Sequence, residues 1–166
     1  MKEQRDSMAT NGKLSEELER EIRAESAKMP DPRAACLEAL RTVERHHGWI
    51  SDDHLREVAR LLGMTAEEVE SNASYYNHIY RESMGRHTIL VCESVSCWIM
   101  GYEEILERLL RKLEVDLGGT TSDGRFTVLP IQCLGACDRA PAITIDDDLH
   151  CDLTVDKLDA ILEKYR

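Results

Sequence analysis

Apolar residues in the first half of the chain recur with a helical period, and beyond Met84-Gly85 that period gives way to short apolar runs alternating with helical stretches. Ser15 opens the first helix, with Glu16, Glu17 and Glu19 in the turn where the helix dipole favours negative charge. Its apolar stripe is Leu18, Ile22 and Met29, and it stops before Pro30. Asp31-Pro32 restarts a helix with a good N-cap and a proline in the first turn, and Gly48 ends it. Ser51 or Asp52 caps a third helix carrying Leu55, Val58, Ala59 and Leu62, with Gly63 after it. Thr65-Ala-Glu-Glu68 has the capping-box pattern and opens a fourth, with Val69, Ala73 and Tyr76 on one face. Four short helices with brief connections predict a small helical bundle over residues 14–84. Residues 1–13 are polar and without period, and are expected to form a mobile tail.

The second half, residues 85–166, reads as a separate domain of strands and helices. A strand over 87–91 precedes a helix from about Gly101 to Leu113, whose buried side is Ile105, Leu106, Leu109, Leu110 and Leu113. On its wet side Glu104–Arg108 and Glu107–Arg111 are spaced as i,i+4 pairs. Strand candidates follow at 126–131 and 142–145, then a turn at Asp146–Asp148. Thr154 caps a last helix that turns Val155, Leu158, Ile161 and Leu162 inward. The order β-α-β-β-α is that of a thioredoxin-like core, so the chain is expected to be α+β or α/β, a four-helix bundle followed by a thioredoxin-like domain. Pro141, just before a strand, fits that fold.

Two cysteine pairs punctuate this second half. Cys92-x4-Cys97 follows the first strand and Cys133-x3-Cys137 follows the second, so both lie on loops at strand ends, where a rigid sheet aims backbone N–H groups at a ligand. Two such loops brought together make a four-thiolate cage, the ligand set of a [2Fe–2S] cluster. A four-cysteine zinc site is the rival reading, although zinc sites more often use C-x2-C pairs. A thioredoxin-type redox pair needs C-x-x-C, which neither pair has. A disulfide framework is disfavoured because no apolar signal segment leads the chain and the composition is that of an intracellular protein. Ser94 and Ser96 are placed to donate hydrogen bonds to sulfur, and Gly135 to take a positive φ, although loop solvation and ordinary turn chemistry explain the same residue types. Cys36, on a stripe with Leu40 and Val43, and Cys151, near the start of the last helix, read as packing residues.

Charge narrows the partners. The chain has 166 residues, 21 of them basic and 32 acidic, for a net charge of −11. That balance argues against nucleic acid, which needs clustered Lys and Arg. No apolar run approaches the length of a membrane span, so any membrane association is expected to come through another subunit, with no direct insertion. No G-x-G-x-x-G fingerprint is present, so a dinucleotide is expected to bind elsewhere. His46 and His47 sit at a helix C-terminus, where a cation suits the dipole. His87 starts a strand and His78 is a further candidate. Asp146–Asp148 reads as a solvated face, with steering of a basic partner as the alternative. Tyr75, Tyr76, Ile79 and Tyr80 form either an exposed aromatic patch or packing between the two halves.

The spacing C-x4-C-x35-C-x3-C resembles that of the thioredoxin-like [2Fe–2S] ferredoxin family, and within it the small NADH-dehydrogenase subunits of respiratory complex I. Asp31-Pro-Arg-Ala-Ala35, Gly48-Trp49, Gly85-Arg86-His87, Gly101-Tyr102, Thr120–Phe126 and Leu134-Gly-Ala-Cys-Asp138 are similar to runs in that family, and the resemblance covers about residues 14–166. Ser74-Tyr75-Tyr76 departs from the family's usual Thr-Phe-Tyr. The resemblance implies one [2Fe–2S] cluster held by Cys92, Cys97, Cys133 and Cys137, and no catalytic residue in this chain. It implies single-electron transfer from FMN on an adjacent NADH-binding flavoprotein subunit, beside a large iron–sulfur subunit of the peripheral arm of NADH:quinone oxidoreductase. NAD-linked hydrogenases and formate dehydrogenases carry the same module, so an equivalent diaphorase subunit is the alternative. The absence of an Arg- and Ser-rich leader favours a bacterial protein on the cytoplasmic side of the inner membrane.

Overall fold

In the computed structural model, which describes residues 13–165, the helical period of the first half resolves into α1 (Glu16–Ser26), α2 (Cys36–His47), α3 (Asp52–Leu62) and α4 (Ala66–Tyr75). The expected tail at residues 1–13 lies, up to residue 12, outside the described residues. The chain divides into two compact units between Ser83 and Met84.

In the first unit the helix ends are set by side chains the sequence provides. The Leu18 N–H donates to Ser15 Oγ at 3.2 Å. Asp31 caps a short 3-10 turn, Pro32–Ala35, that runs into α2. Thr65 and Glu68 close the expected capping box, at 3.2 Å from the Glu68 N–H to Thr65 Oγ1 and 2.9 Å from the Thr65 N–H to Glu68 Oε2. Ser51 closes a second box with His54, whose Nδ1 accepts from the Ser51 N–H at 3.3 Å. Gly48 and Gly63 end their helices with φ of 80° and 66°, a conformation costly for a residue with a Cβ. The four helices share one core, centred on Leu18, Ile22, Leu40, Val43, Val58 and Val69.

Two stripe assignments differ from the expectation. α1 ends at Ser26, so Met29 lies beyond it and is exposed; α4 ends at Tyr75, so Tyr76 leaves the stripe that Val69 and Ala73 continue. Ile79 is buried in this unit's own core, whereas Tyr75 is exposed. At the end of α2, His46 lies 3.4 Å from Glu21, while burial, then the neighbouring His46, pushes the His47 pKa down. Burial therefore disfavours a charged ring at His47, whose centroid lies 4.4 Å from that of His54, while Arg45 and His46 share the same last turn. Cys36 is buried in the same core, and that burial pushes its thiol pKa up.

The second unit is built on one sheet in the order β2-β1-β3-β4, making the chain a mixed helix-and-sheet protein. β1 (His87–Cys92) and β2 (Phe126–Ile131) are parallel, with Cys92 opposite Ile131. A parallel pair needs a crossover; here it contains α5 (Val95–Ile99) and α6 (Tyr102–Leu113). β3 (Ile143–Ile145) runs antiparallel to β1 and turns back into β4 (Asp148–His150), before α7 (Val155–Leu162) closes the chain.

Strand alternation sorts side chains between two clusters. Ile89, Val91, Phe126 and Val128 pack with Ile105 and Leu109 of α6 and Leu158 and Leu162 of α7. Leu90, Cys92 and Ile131 join a second cluster with Cys97 and Ala140. The expected turn is present at Asp146-Asp147, between β3 and β4, and Asp147 and Asp148 are exposed, but Asp146 is half-buried and bonded. Asp146, at φ 54°, accepts from the Thr88 N–H at 3.1 Å and lies 2.8 Å from His87 Nδ1; Asp148 accepts the Tyr165 hydroxyl at 2.8 Å. His87 is thus engaged within its own unit. Arg108 pairs with Asp159 of α7 at 2.6 Å rather than with Glu104, because a tertiary partner fixes its geometry better than a neighbour on a wet helix face.

Gly85 enters this unit against β2. Its N–H donates to Thr127 Oγ1 at 2.7 Å, and a Cβ built on it would lie 3.0 Å from the backbone carbon of Phe126 and 3.1 Å from that of Arg125. Gly85→Ala is therefore expected to destabilise the unit by about 1–3 kcal/mol, since the atoms in the way are backbone. Urea unfolding should show the midpoint fall; an unchanged midpoint would mean the segment yields freely.

Candidate metal centre

β1 ends in Cys92 and the second ligand loop begins two residues after β2, so the parallel register delivers both loops to the same end of the sheet. The first pair is buried and the second exposed. Cys97 comes from α5, on which it is the buried residue. Ser94 precedes this helix with extended φ and ψ, and its carbonyl accepts from the Trp98 N–H at 2.8 Å. Its hydroxyl makes no cap to the helix and lies 3.6 Å from Cys92 Sγ.

Two opposed effects act on Cys92. Burial pushes its pKa up, but the N–H groups of Ser94 and Leu134, the Ser94 hydroxyl and Cys97 all bond its sulfur, and the net direction is down. For Cys97, burial and then the neighbouring Cys92 push the pKa up, against a bond from the Ala142 backbone. The surroundings of Cys92 thus favour negative charge on its sulfur, whereas those of Cys97 disfavour it. The Leu134 N–H comes from between Cys133 and Cys137, and Leu134 packs on the cluster holding Cys92 and Cys97, so the two loops meet.

In the second pair, Cys133 Sγ and Cys137 Sγ are 3.7 Å apart. Two thiolates on one tetrahedral metal, each about 2.3 Å from it, lie about 3.8 Å apart. Gly135, at φ 78°, donates its N–H to Cys133 Sγ at 3.3 Å. Among the described residues, no three His, Cys, Asp or Glu side chains are grouped to hold one metal ion. The donor set is therefore two sulfur pairs on adjoining loops, which fits a two-metal centre with one pair for each metal. Cys151 is half-buried beyond β4.

Residues 22–166 match the thioredoxin-like [2Fe–2S] ferredoxin family. The chain belongs to that family. Among this chain's relatives, a Pseudomonas aeruginosa protein named as a subunit of NADH-quinone oxidoreductase is 44% identical over 152 residues, covering 92% of each chain. An Escherichia coli K12 protein of the same name is 46% identical over 136 residues, covering 82% of each. Among solved structures, an NAD+-reducing [NiFe]-hydrogenase in the air-oxidised state matches with a TM-score of 0.68 at 24% identity, over 79% of this chain and 22% of that one, which shows the shared fold.

Spacing singled out the four sulfurs of the candidate centre, but not the backbone donors from Leu134 and Ala142, which depend on tertiary placement. The local helix α5 did leave a signal: a Ser at its N-cap position and a Gly just past its end, at Ser94 and Gly101.

Proposed function

We propose that this chain is an electron-transfer subunit of a proton-translocating NADH:quinone oxidoreductase, the respiratory complex I, with Cys92, Cys97, Cys133 and Cys137 holding one [2Fe–2S] cluster. When bound, such a cluster supplies a site that takes single electrons from the FMN of an adjacent NADH-binding flavoprotein subunit. The observation that carries this reading is the pair of closed sulfur pairs on adjoining loops, in a chain 44–46% identical over most of its length to proteins named as one and the same subunit of NADH-quinone oxidoreductase.

The chain's own part is to bind and insulate. Cys92 and Cys97 lie buried in an apolar cluster with Leu90, Ile131 and Ala140, which keeps water from that side of the sulfurs. The N–H groups of Ser94, Leu134 and Gly135 bond sulfur and stabilise negative charge on it, one of the means by which a protein tunes such a centre's potential.

A large iron–sulfur subunit of the peripheral arm is the second proposed neighbour, and the cytoplasmic face of a bacterial inner membrane the setting. Among the described residues no helix is long and apolar enough to cross a membrane, in keeping with a peripheral position. Residues 14–84 are read as a helical-bundle domain and 85–166 as the ferredoxin domain, supported by the break at Ser83–Met84. The equivalent subunit of an NAD-linked hydrogenase is the lesser reading, since there only the fold is shared.

Anaerobically purified chain is expected to be reddish-brown, to contain two iron and two sulfide per chain, and to give a reduced-state EPR signal from a two-iron centre. A colourless protein with one zinc and no inorganic sulfide would overturn the reading.

A further inference from the structure

Helix α5 turns Cys97 into the protein and almost everything else out. Cys97 is 1% exposed, whereas Val95, Trp98, Ile99 and Met100 at the end of the helix are 68%, 57%, 71% and 60% exposed. Four large apolar side chains in a stretch of six residues form a contiguous patch, unlike the scattered apolar residues of an ordinary surface. The patch adjoins the candidate metal centre, since α5 itself carries Cys97 on its inner side. α5 packs against the Cys137–Arg139 turn, which carries one exposed sulfur of the second pair, and against α6, whose first turn follows α5 after Met100 and Gly101.

Its border is acidic. Glu103 and Glu104 in that first turn, and Asp138 in the cysteine turn, are exposed, and Arg139 is already paired with Asp152 at 3.0 Å. Val95, Trp98, Ile99 and Met100 have no role in the second unit's core, and Trp and Met are enriched at protein interfaces, with Trp among the commonest energetic anchors.

We propose that the outer face of α5, with its acidic border, is the docking surface for the electron-donating flavoprotein subunit, which meets it with an apolar pocket for Trp98 and Ile99 and a basic rim. This rests on the electron-transfer reading above and names the partner surface of the same site. The occupant follows from position and charge. A donor must come close to the sulfur cage, whose exposed sulfurs border this patch, and a net charge of −11 with carboxylates at the rim selects a basic partner over a second copy of this acidic chain. The Tyr75–Tyr80 stretch is the weaker candidate, because Ile79 is consumed by its own unit's core.

The test uses full-length chain co-expressed with the flavoprotein subunit and co-purified with it. Ile99→Arg and Trp98→Ala are expected to leave the visible and EPR spectra of the isolated chain unchanged, and to weaken flavoprotein retention by about tenfold or more. Glu103→Lys with Glu104→Lys should flatten the salt dependence of that retention. If Ile99→Arg disturbs folding, Ile99→Ser with Trp98→Ala decides by the same readout. Undiminished retention overturns the proposal, as does a change in the isolated chain's own oligomeric state with retention intact, which would assign the face to a second copy. A wild-type chain without a two-iron spectrum overturns the electron-transfer reading instead, and retention still reports on docking.

Discussion

Cys133→Ala is expected to abolish or rearrange the two-iron spectrum, while Cys151→Ala leaves it intact. Cys133 lies 3.7 Å from Cys137 and receives the Gly135 N–H, so its loss leaves one metal with a single protein sulfur. Neither neighbour, Gln132 nor Leu134, offers a replacement thiolate. Cys133 is exposed and outside the core clusters, so the metal-free chain should lose no more than about 0.5 kcal/mol of stability. Spectral loss together with intact unfolding behaviour thus separates a ligand from a packing residue. Iron and sulfide content with visible absorbance on both variants checks it; a normal spectrum for Cys133→Ala, or a lost one for Cys151→Ala, would mean the ligand set is drawn wrongly.

Phe126→Ala is expected to cost about 3–5 kcal/mol, the usual range for emptying a large aromatic site in a core. Phe126 is the chain's one phenylalanine and is fully buried. Its ring is 5.6 Å from that of His87 and 4.7 Å below the Arg125 guanidinium, so its removal leaves a void between β1, β2 and the helices over them. Urea unfolding of metal-free chain is the cleaner measurement, because a bound metal centre adds its own stabilisation to the folded state. A loss under about 1.5 kcal/mol would show that the unit collapses to fill the site.

Much of the fold was legible because its signals are local. Ser15, Asp31 and Thr65 announce helix starts through side chains that reach only three residues, and Gly48 and Gly63 announce stops. β1 and β2 stand out as apolar runs. What escaped was short or decided elsewhere. α5 has five residues, too few to show a period, and its outward side chains are as apolar as its inward one. β4, Asp148–His150, is a three-residue polar edge strand identified only by its pairing with β3. Arg108 found Asp159 some fifty positions away, which no spacing rule reaches. For the candidate site, the four sulfurs were legible from spacing, while the Leu134 and Ala142 donors and the division into one buried and one exposed pair were not, because these are properties of how the loops meet.

The parallel pairing of β1 with β2 bears on how such a chain can change over generations. Cys92 and Ile131 are held opposite one another by the strand ladder, whatever the length of the segment that connects them. Residues added after α6 at the exposed Asp116-Leu117 lengthen the interval between the cysteine pairs without moving either loop. One residue slipped within β2 does the reverse: it keeps the interval nearly constant, turns Ile131 to the opposite face and carries Cys133 away from its place beside Cys92. The 35-residue gap is therefore the elastic part of the pattern, and the short steps from strand end to sulfur are the rigid part.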